Sequence, residues 1–232
     1  MLRDSIAPLT SPTGSIQTPT IQQTTERLSA SGDHPTVLTD IYKESVNIAI
    51  WRRELDADLQ RSTNEFLANN HKFQKSLSVS PSDAFAALEY ATDGLAPKAL
   101  LQNIAELVDM FCCLFELDYA GLRLATLESA MCPRFHTDKV PCRLVTTYSG
   151  VATDWLEHEV VDRSKLGHGS NDLPDSESGL YQSETDVQRL TCGDVALLKG
   201  EKWIGNEGGG LVHRSPAVAS GENRLLLTLD FG

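Results

Sequence analysis

Beyond Asp118 this chain carries no helical repeat, and that change of pattern limits what it can fold into. Short β-type segments follow one another: Tyr119–Leu127, Arg143–Tyr148, Val187–Leu190, Val195–Lys199, Leu211–His213 and Arg224–Phe231. Gly-, Pro- and Asp-rich loops separate them, the longest running from about Asp162 to Glu184. Upstream the periodicity is helical. From Pro97 to Leu117, the residues Leu100, Ile104, Leu107, Val108, Phe111 and Leu114 recur at steps that predict one amphipathic helix. Leu55–Asn69 and Ala84–Ala91 read as shorter helices, and Val46–Trp51 as a buried strand. Helices first and many short strands afterwards predict an α+β fold, with the helices packed on one sheet of a sandwich or barrel.

The last strand indicates which sheet face the helices cover. Side chains alternate along a strand, so Leu225, Leu227, Leu229 and Phe231 share one apolar face. Arg224, Leu226, Thr228 and Asp230 share the other, which turns Arg224 into the barrel. A buried guanidinium requires an anionic partner, and its planar fork suits a carboxylate. A bound organic acid is one candidate; an internal ion pair with Asp194 or Asp230 is another.

Residues 1–35 are Thr-, Pro- and Gln-rich without periodicity and are expected to form a disordered tail, with one short helical turn around Gln22–Leu28. Residues 36–232 are expected to form a single globular domain, 36–118 mainly helical and 119–232 the β core. The formal net charge of -12 argues against binding nucleic acid through a general basic field. No stretch approaches the roughly 18 apolar residues of a membrane span, and no secretory pattern opens the chain, so the expectation is a cytoplasmic protein without a membrane partner. The five cysteines, Cys112, Cys113, Cys132, Cys142 and Cys192, are odd in number and irregularly spaced, which argues against a disulfide framework. Cys112 and Cys113 are expected in the helical core.

The chemistry concentrates in CPRFHTDKVPCRLVTTY, residues 132–148. In an extended segment, residues two apart point the same way, so His136 and Asp138 aim an imidazole and a carboxylate at one point. That mixture suits a borderline divalent metal such as iron, and a third ligand from another strand would complete one triangular face. His213 ends a strand after the Gly-rich run Gly205–Gly210, and Arg224 follows eleven residues later. Cys132 and Cys142 flank the His-x-Asp pair and leave a zinc set with His136 open. The run Gly205–Gly210 opens no helix and lacks a Lys-Ser/Thr successor, so it meets no nucleotide-loop pattern; it reads as a flexible connection or a lid beside the metal.

The order His136-x-Asp138, a strand from Arg143 to Tyr148, the Gly193-Asp194 turn, His213 and Arg224 resembles the iron(II)/2-oxoglutarate-dependent dioxygenases, above all their prolyl-hydroxylase-like branch. The resemblance covers about Tyr119 to Gly232. It implies a double-stranded β-helix of the jelly-roll or cupin type, iron(II) on His136, Asp138 and His213, and the far carboxylate of 2-oxoglutarate on Arg224. Tyr148 matches a tyrosine that some members use to hydrogen-bond that carboxylate; strand packing is its other reading. Many members carry Ser or Thr where this chain has Leu226, so the carboxylate pocket is expected to differ. The whole globular region also resembles an uncharacterised bacterial family classed as a domain of unknown function, whose members are often encoded near zinc-responsive GTPases. Two functions follow as expectations. The first is a hydroxylase-type dioxygenase acting on a small molecule or peptide. The second is a non-catalytic metal-binding protein of zinc or iron homeostasis.

Overall fold

The computed structural model describes residues 26–232. The elements run, in chain order, β1 (Leu28–Gly32), β2 (Val46–Trp51), α1 (Ala57–Asn69), β3 (Gln74–Val79), α2 (Ala84–Ala91) and α3 (Lys98–Phe115). Seven strands follow: β4 (Ala120–Leu127), β5 (Cys142–Ser149), β6 (Asp154–Leu156), β7 (Val187–Arg189), β8 (Val195–Lys199), β9 (Val212–Arg214) and β10 (Arg224–Phe231). The architecture is α+β.

The apolar repeat after Pro97 forms α3 and buries Leu100, Leu101, Ile104, Leu107, Val108, Phe111 and Cys112. Each such leucine contributes on the order of 2 kcal/mol by leaving water. The receiving surface is one face of a seven-stranded sheet ordered β1-β2-β8-β5-β10-β4-β3. Leu225, Leu227 and Leu229 of β10 lie in that helix-facing core, with Phe231 packed against it. The alternation in RLLLTLDF therefore folds as the sequence requires, and Arg224 lies buried on the opposite side. Cys112 joins the core, whereas Cys113 is exposed, because it falls outside the buried stripe of α3 that Leu107, Val108, Phe111 and Cys112 continue.

A second sheet, β7-β6-β9, lies across an apolar layer. Ile48, Ile50, Val145, Ala196 and Leu198 supply one side of that layer, and Trp155, Leu190 and Leu211 the other. The functional side chains described below sit at the margin of this layer.

Two boundaries differ from expectation. The globular part begins within the stretch expected to be tail: Leu28–Gly32 is β1, paired in parallel with β2. Residues 1–25, and most of the helical turn expected at Gln22–Leu28, lie outside the described residues. The part expected to be mainly helical, 36–118, also contributes β2 and β3 to the large sheet. Among the described residues, no helix is long and apolar enough to cross a membrane.

Candidate metal centre

A two-way backbone bridge places the two histidines. His136 N donates to His213 O and His213 N to His136 O, each at 3.0 Å. Residues opposed in this way share a face of the sheet, and the two imidazole centroids stand 4.6 Å apart. His213 is held on its other side by pairing with Trp155 of β6, whose ring enters the apolar layer. The strand lead-in to His136 is fixed by a residue far away in sequence. Asp175 accepts from Phe135 N at 2.8 Å and pairs with Arg134, while Arg214 stacks 4.3 Å from the centre of the Phe135 ring.

Asp138 is positioned by main chain. Glu201 N donates to Asp138 O at 2.9 Å, and Gly200 N donates to Pro141 O at 2.8 Å. The approach is close enough to require glycine: a Cβ on Gly200 would run into Val140 O and come within 2.9 Å of Asp138 O. Gly200→Ala is therefore expected to shift Asp138 and weaken Co(II) binding by about 10- to 100-fold, the usual effect of losing a ligand's support. Optical titration with Co(II) measures this, and an unchanged affinity would show that the segment yields without moving the carboxylate.

The ligand atoms of His136, Asp138 and His213 all lie within 4.8 Å of one another. His136 Nδ1 faces Arg134 O at 2.9 Å and His213 Nδ1 faces Leu211 O at 3.2 Å. A nitrogen facing a carbonyl oxygen must carry the proton, which leaves the Nε2 lone pairs pointing inward. Asp138 Oδ2 then meets His213 Nε2 at 3.4 Å, and Oδ1 meets His136 Nε2 at 3.8 Å. Electron-rich atoms facing each other at these distances repel unless a cation lies between them. The donor set thus fits a divalent metal with two imidazoles and one carboxylate.

Electrostatics point the same way. Burial first, then the neighbouring His213, hold the His136 imidazole below its ordinary pKa, in the neutral form a metal needs. Burial would raise the Asp138 carboxyl, but contacts with His213, Arg143 and His136 outweigh it and hold it at about 2. Arg143 is gripped in a fork by Asp230, at 2.8 and 2.9 Å, and its remaining arm reaches Asp138 Oδ2 at 2.7 Å. This leaves Oδ1 free to coordinate.

Arg224 opens into the same pocket as the two histidines and is fully buried. Neither expected internal partner reaches it: Asp230 is committed to Arg143, and Asp194 accepts from Thr191 N. Its hydrogen bonds go to neutral hydroxyls, Ser215 Oγ at 2.9 Å, Thr153 Oγ1 at 2.8 Å and Thr147 Oγ1 at 3.2 Å, and its Nε has no partner. Burial lowers the guanidinium to about 10, so it stays charged at neutral pH. The chain leaves a buried cation and an orphaned donor beside the His136–Asp138–His213 cluster, which suits a carboxylate. The hydroxyl absent at Leu226 is supplied by Ser215, Thr153 and Thr147. None of the three is among the residues expected from the sequence, although parity marks Thr147, four residues after Arg143 in β5, and Ser215, two residues after His213; Thr153 has no such signal.

Tyr148 does not belong to this pocket. It lies an odd number of residues from Arg143 and so faces the helices, where its hydroxyl donates to Asn103 Oδ1 of α3 at 2.9 Å. Cys142 is buried on that helical side as well, which removes it from a zinc set with His136. Cys132 borders the pocket but lies outside the convergent group. The run Gly205–Gly210 is no lid: Gly208 N and Gly210 N donate to Glu201, and Asn47 donates to Gly209 O.

The fold and the site together define an α+β protein with two facing sheets and a His-x-Asp…His cluster beside a buried arginine. The chain belongs to the family described as Protein of unknown function (DUF1826), which matches residues 32–230. Its fold is shared with a protein of Shewanella oneidensis named as a candidate oxygenase (10% identity, TM-score 0.51, covering 88% of this chain and 89% of that one). It is also shared with the dioxygenase for auxin oxidation 1 of Arabidopsis thaliana in its 2-oxoglutarate complex (8% identity, TM-score 0.50, covering 88% and 92%). A prolyl 4-hydroxylase of Pseudomonas putida is similar at TM-score 0.42, with 13% identity over 84% of this chain and 96% of that one. Comparison with curated proteins finds no match.

Proposed function

We propose that this protein is an iron(II)- and 2-oxoglutarate-dependent oxygenase built on a double-stranded β-helix. The observation that carries the reading is a buried arginine, with no carboxylate of its own, in the pocket lined by His136 and His213 of the convergent His136–Asp138–His213 cluster. Iron(II), 2-oxoglutarate and dioxygen would supply the oxidising power when bound.

The chain's own residues would do the rest. His136, Asp138 and His213 would hold the metal through two imidazole nitrogens and one carboxylate oxygen. Arg143 holds the second Asp138 oxygen, Oδ2, at 2.7 Å. Arg224, with Ser215 and Thr153, orients the distal carboxylate of the co-substrate. Val145 and Leu226 line the pocket with apolar surface that limits water. The His136 side chain keeps 34% exposure, so substrate would approach from that side.

Anaerobically iron-loaded protein given 2-oxoglutarate and air is expected to form succinate and consume dioxygen even without the true substrate, and to do neither when 2-oxoglutarate is omitted. Succinate quantification and an oxygen electrode measure this. Iron held tightly with no response to 2-oxoglutarate would refute the co-substrate; stoichiometric zinc with the same indifference would instead indicate a non-catalytic metal-binding protein.

A further inference from the structure

On the helix-covered side of the large sheet, β8 ends in a lysine that the fold buries without giving it an anion. Lys199 is 1% exposed. Its ammonium donates to Lys43 O at 2.9 Å and stands 4.9 Å from the centre of the Trp203 ring. Among the described residues it has no further hydrogen bond and no ion pair. An ammonium has three donors and a full charge, so the one hydrogen bond to a carbonyl leaves two donors without an oxygen acceptor beside the aromatic face. Arg27, also buried, adds like charge nearby, and its guanidinium goes to neutral oxygens: Asn206 Oδ1 at 2.7 Å, Gly205 O at 3.2 Å and Glu26 O at 3.4 Å. Burial first, then Arg27, pull the Lys199 amine down to about 8.

In front of the ammonium lies a cavity of about 270 Å³, walled by Tyr42, Glu44, Trp203, Gly205 and Asn206. Glu44 is exposed at its rim and forms no ion pair with Lys199. At about 30 Å³ per water, the space holds a small oxyanion and several waters. Leaving two buried cations unanswered is costly, and an anion here would relieve both.

We propose that this cavity binds a small oxyanion of the carboxylate or phosphate class through Lys199 Nζ, with Arg27 adding to the attracting field. The site is separate from the metal centre. Lys199 shares strand parity with Val195 and Leu197, which pack under the helices, whereas Ala196 and Leu198 face the other sheet. The two sites therefore lie on opposite faces of β8.

The test uses the full chain carrying Arg224→Met, so that the pocket beside the metal cannot take up the anion. Sodium phosphate and, separately, sodium acetate are titrated at constant ionic strength while tryptophan fluorescence is followed. A saturable response to at least one anion is expected, and adding Lys199→Met should weaken it at least tenfold; which anion saturates first identifies the class. Lys199→Met removes an uncompensated charge and keeps the stem, so folding is expected to survive. If it does not, reductive methylation of Lys199 mapped by mass spectrometry replaces it: bound phosphate or acetate should slow labelling at least fivefold. No saturable response, an equal response without the lysine, or unprotected labelling would each overturn the site. A Glu44→Gln variant should bind at least as well as its parent; lost binding would make Glu44 part of the site and overturn the assignment to Lys199 and Arg27.

Discussion

His213→Ala is expected to lower the affinity for iron(II) or Co(II) by more than about 100-fold, because losing a residue that merely orients a ligand already costs about 10- to 100-fold. The imidazole is nearly buried and its Nε2 faces Asp138. Its removal leaves one histidine and one carboxylate, the latter already shared with Arg143. The fold should tolerate the change. His213 holds β9 to its neighbours through backbone bonds to His136 and pairing with β6, and an alanine keeps both. Metal-free thermal stability should then move by about 1 kcal/mol, the typical effect of one substitution, while the rise in melting temperature on adding metal disappears. His136→Ala should reproduce the metal defect with a smaller effect on the fold, since that side chain is the more exposed of the two. His158→Ala is the control, because His158 opens a short 3-10 turn beside Arg163 and touches none of the three ligands. Co(II) absorption and melting curves with and without metal read all three variants. Wild-type affinity in His213→Ala would place the metal elsewhere.

The parts of this site that were legible in the sequence are those governed by strand parity. His136-x-Asp138 share a side because the segment is extended, and Arg224 turns inward because Leu225, Leu227 and Leu229 must turn towards the helices. Tyr148 obeys the same parity: it stands on the helical face of β5, away from the carboxylate pocket that the family resemblance implies for it. What stayed hidden depends on partners distant in sequence. Asp175 fixes the His136 segment from forty residues away, and nothing in its local sequence marks it. Gly200 reads as a turn residue until the main chain of Asp138–Pro141 is seen against it. The strand β1, LSASG, has no β-branched residue and only one large apolar side chain in a short Leu-Ser-Ala-Ser alternation, so pairing with β2 is what makes it a strand. The strand β3, QKSLSV, alternates weakly because it is an edge, with half of its side chains in solvent.

Arg224→Met separates two roles of the buried cation by the sign of its effect. An arginine in an internal ion pair stabilises the fold, and truncating one partner of such a pair costs about 3–5 kcal/mol. Here no carboxylate lies within ion-pair distance, three neutral hydroxyls stand in, and Nε is unpaired. Removing the charge should therefore change metal-free stability by no more than about 1–2 kcal/mol in either direction, since the lost hydrogen bonds and the relieved desolvation oppose each other. The co-substrate should suffer instead. Truncating one partner of a buried charge pair costs about 2–5 kcal/mol, which at about 1.4 kcal/mol per decade corresponds to a loss of 2-oxoglutarate affinity from roughly 30-fold to several thousandfold. Metal affinity should hold, because Arg224 touches none of the three ligands. Arg224→Lys should fall between, keeping the charge but not the two-armed geometry. Melting curves of anaerobic Co(II)-loaded protein against 2-oxoglutarate concentration report affinity and stability together. His213→Ala should lose both metal and 2-oxoglutarate, and Arg224→Met only the second. An Arg224→Met protein that binds 2-oxoglutarate normally but melts far earlier would return the arginine to a structural role and remove the anchor on which the oxygenase reading depends.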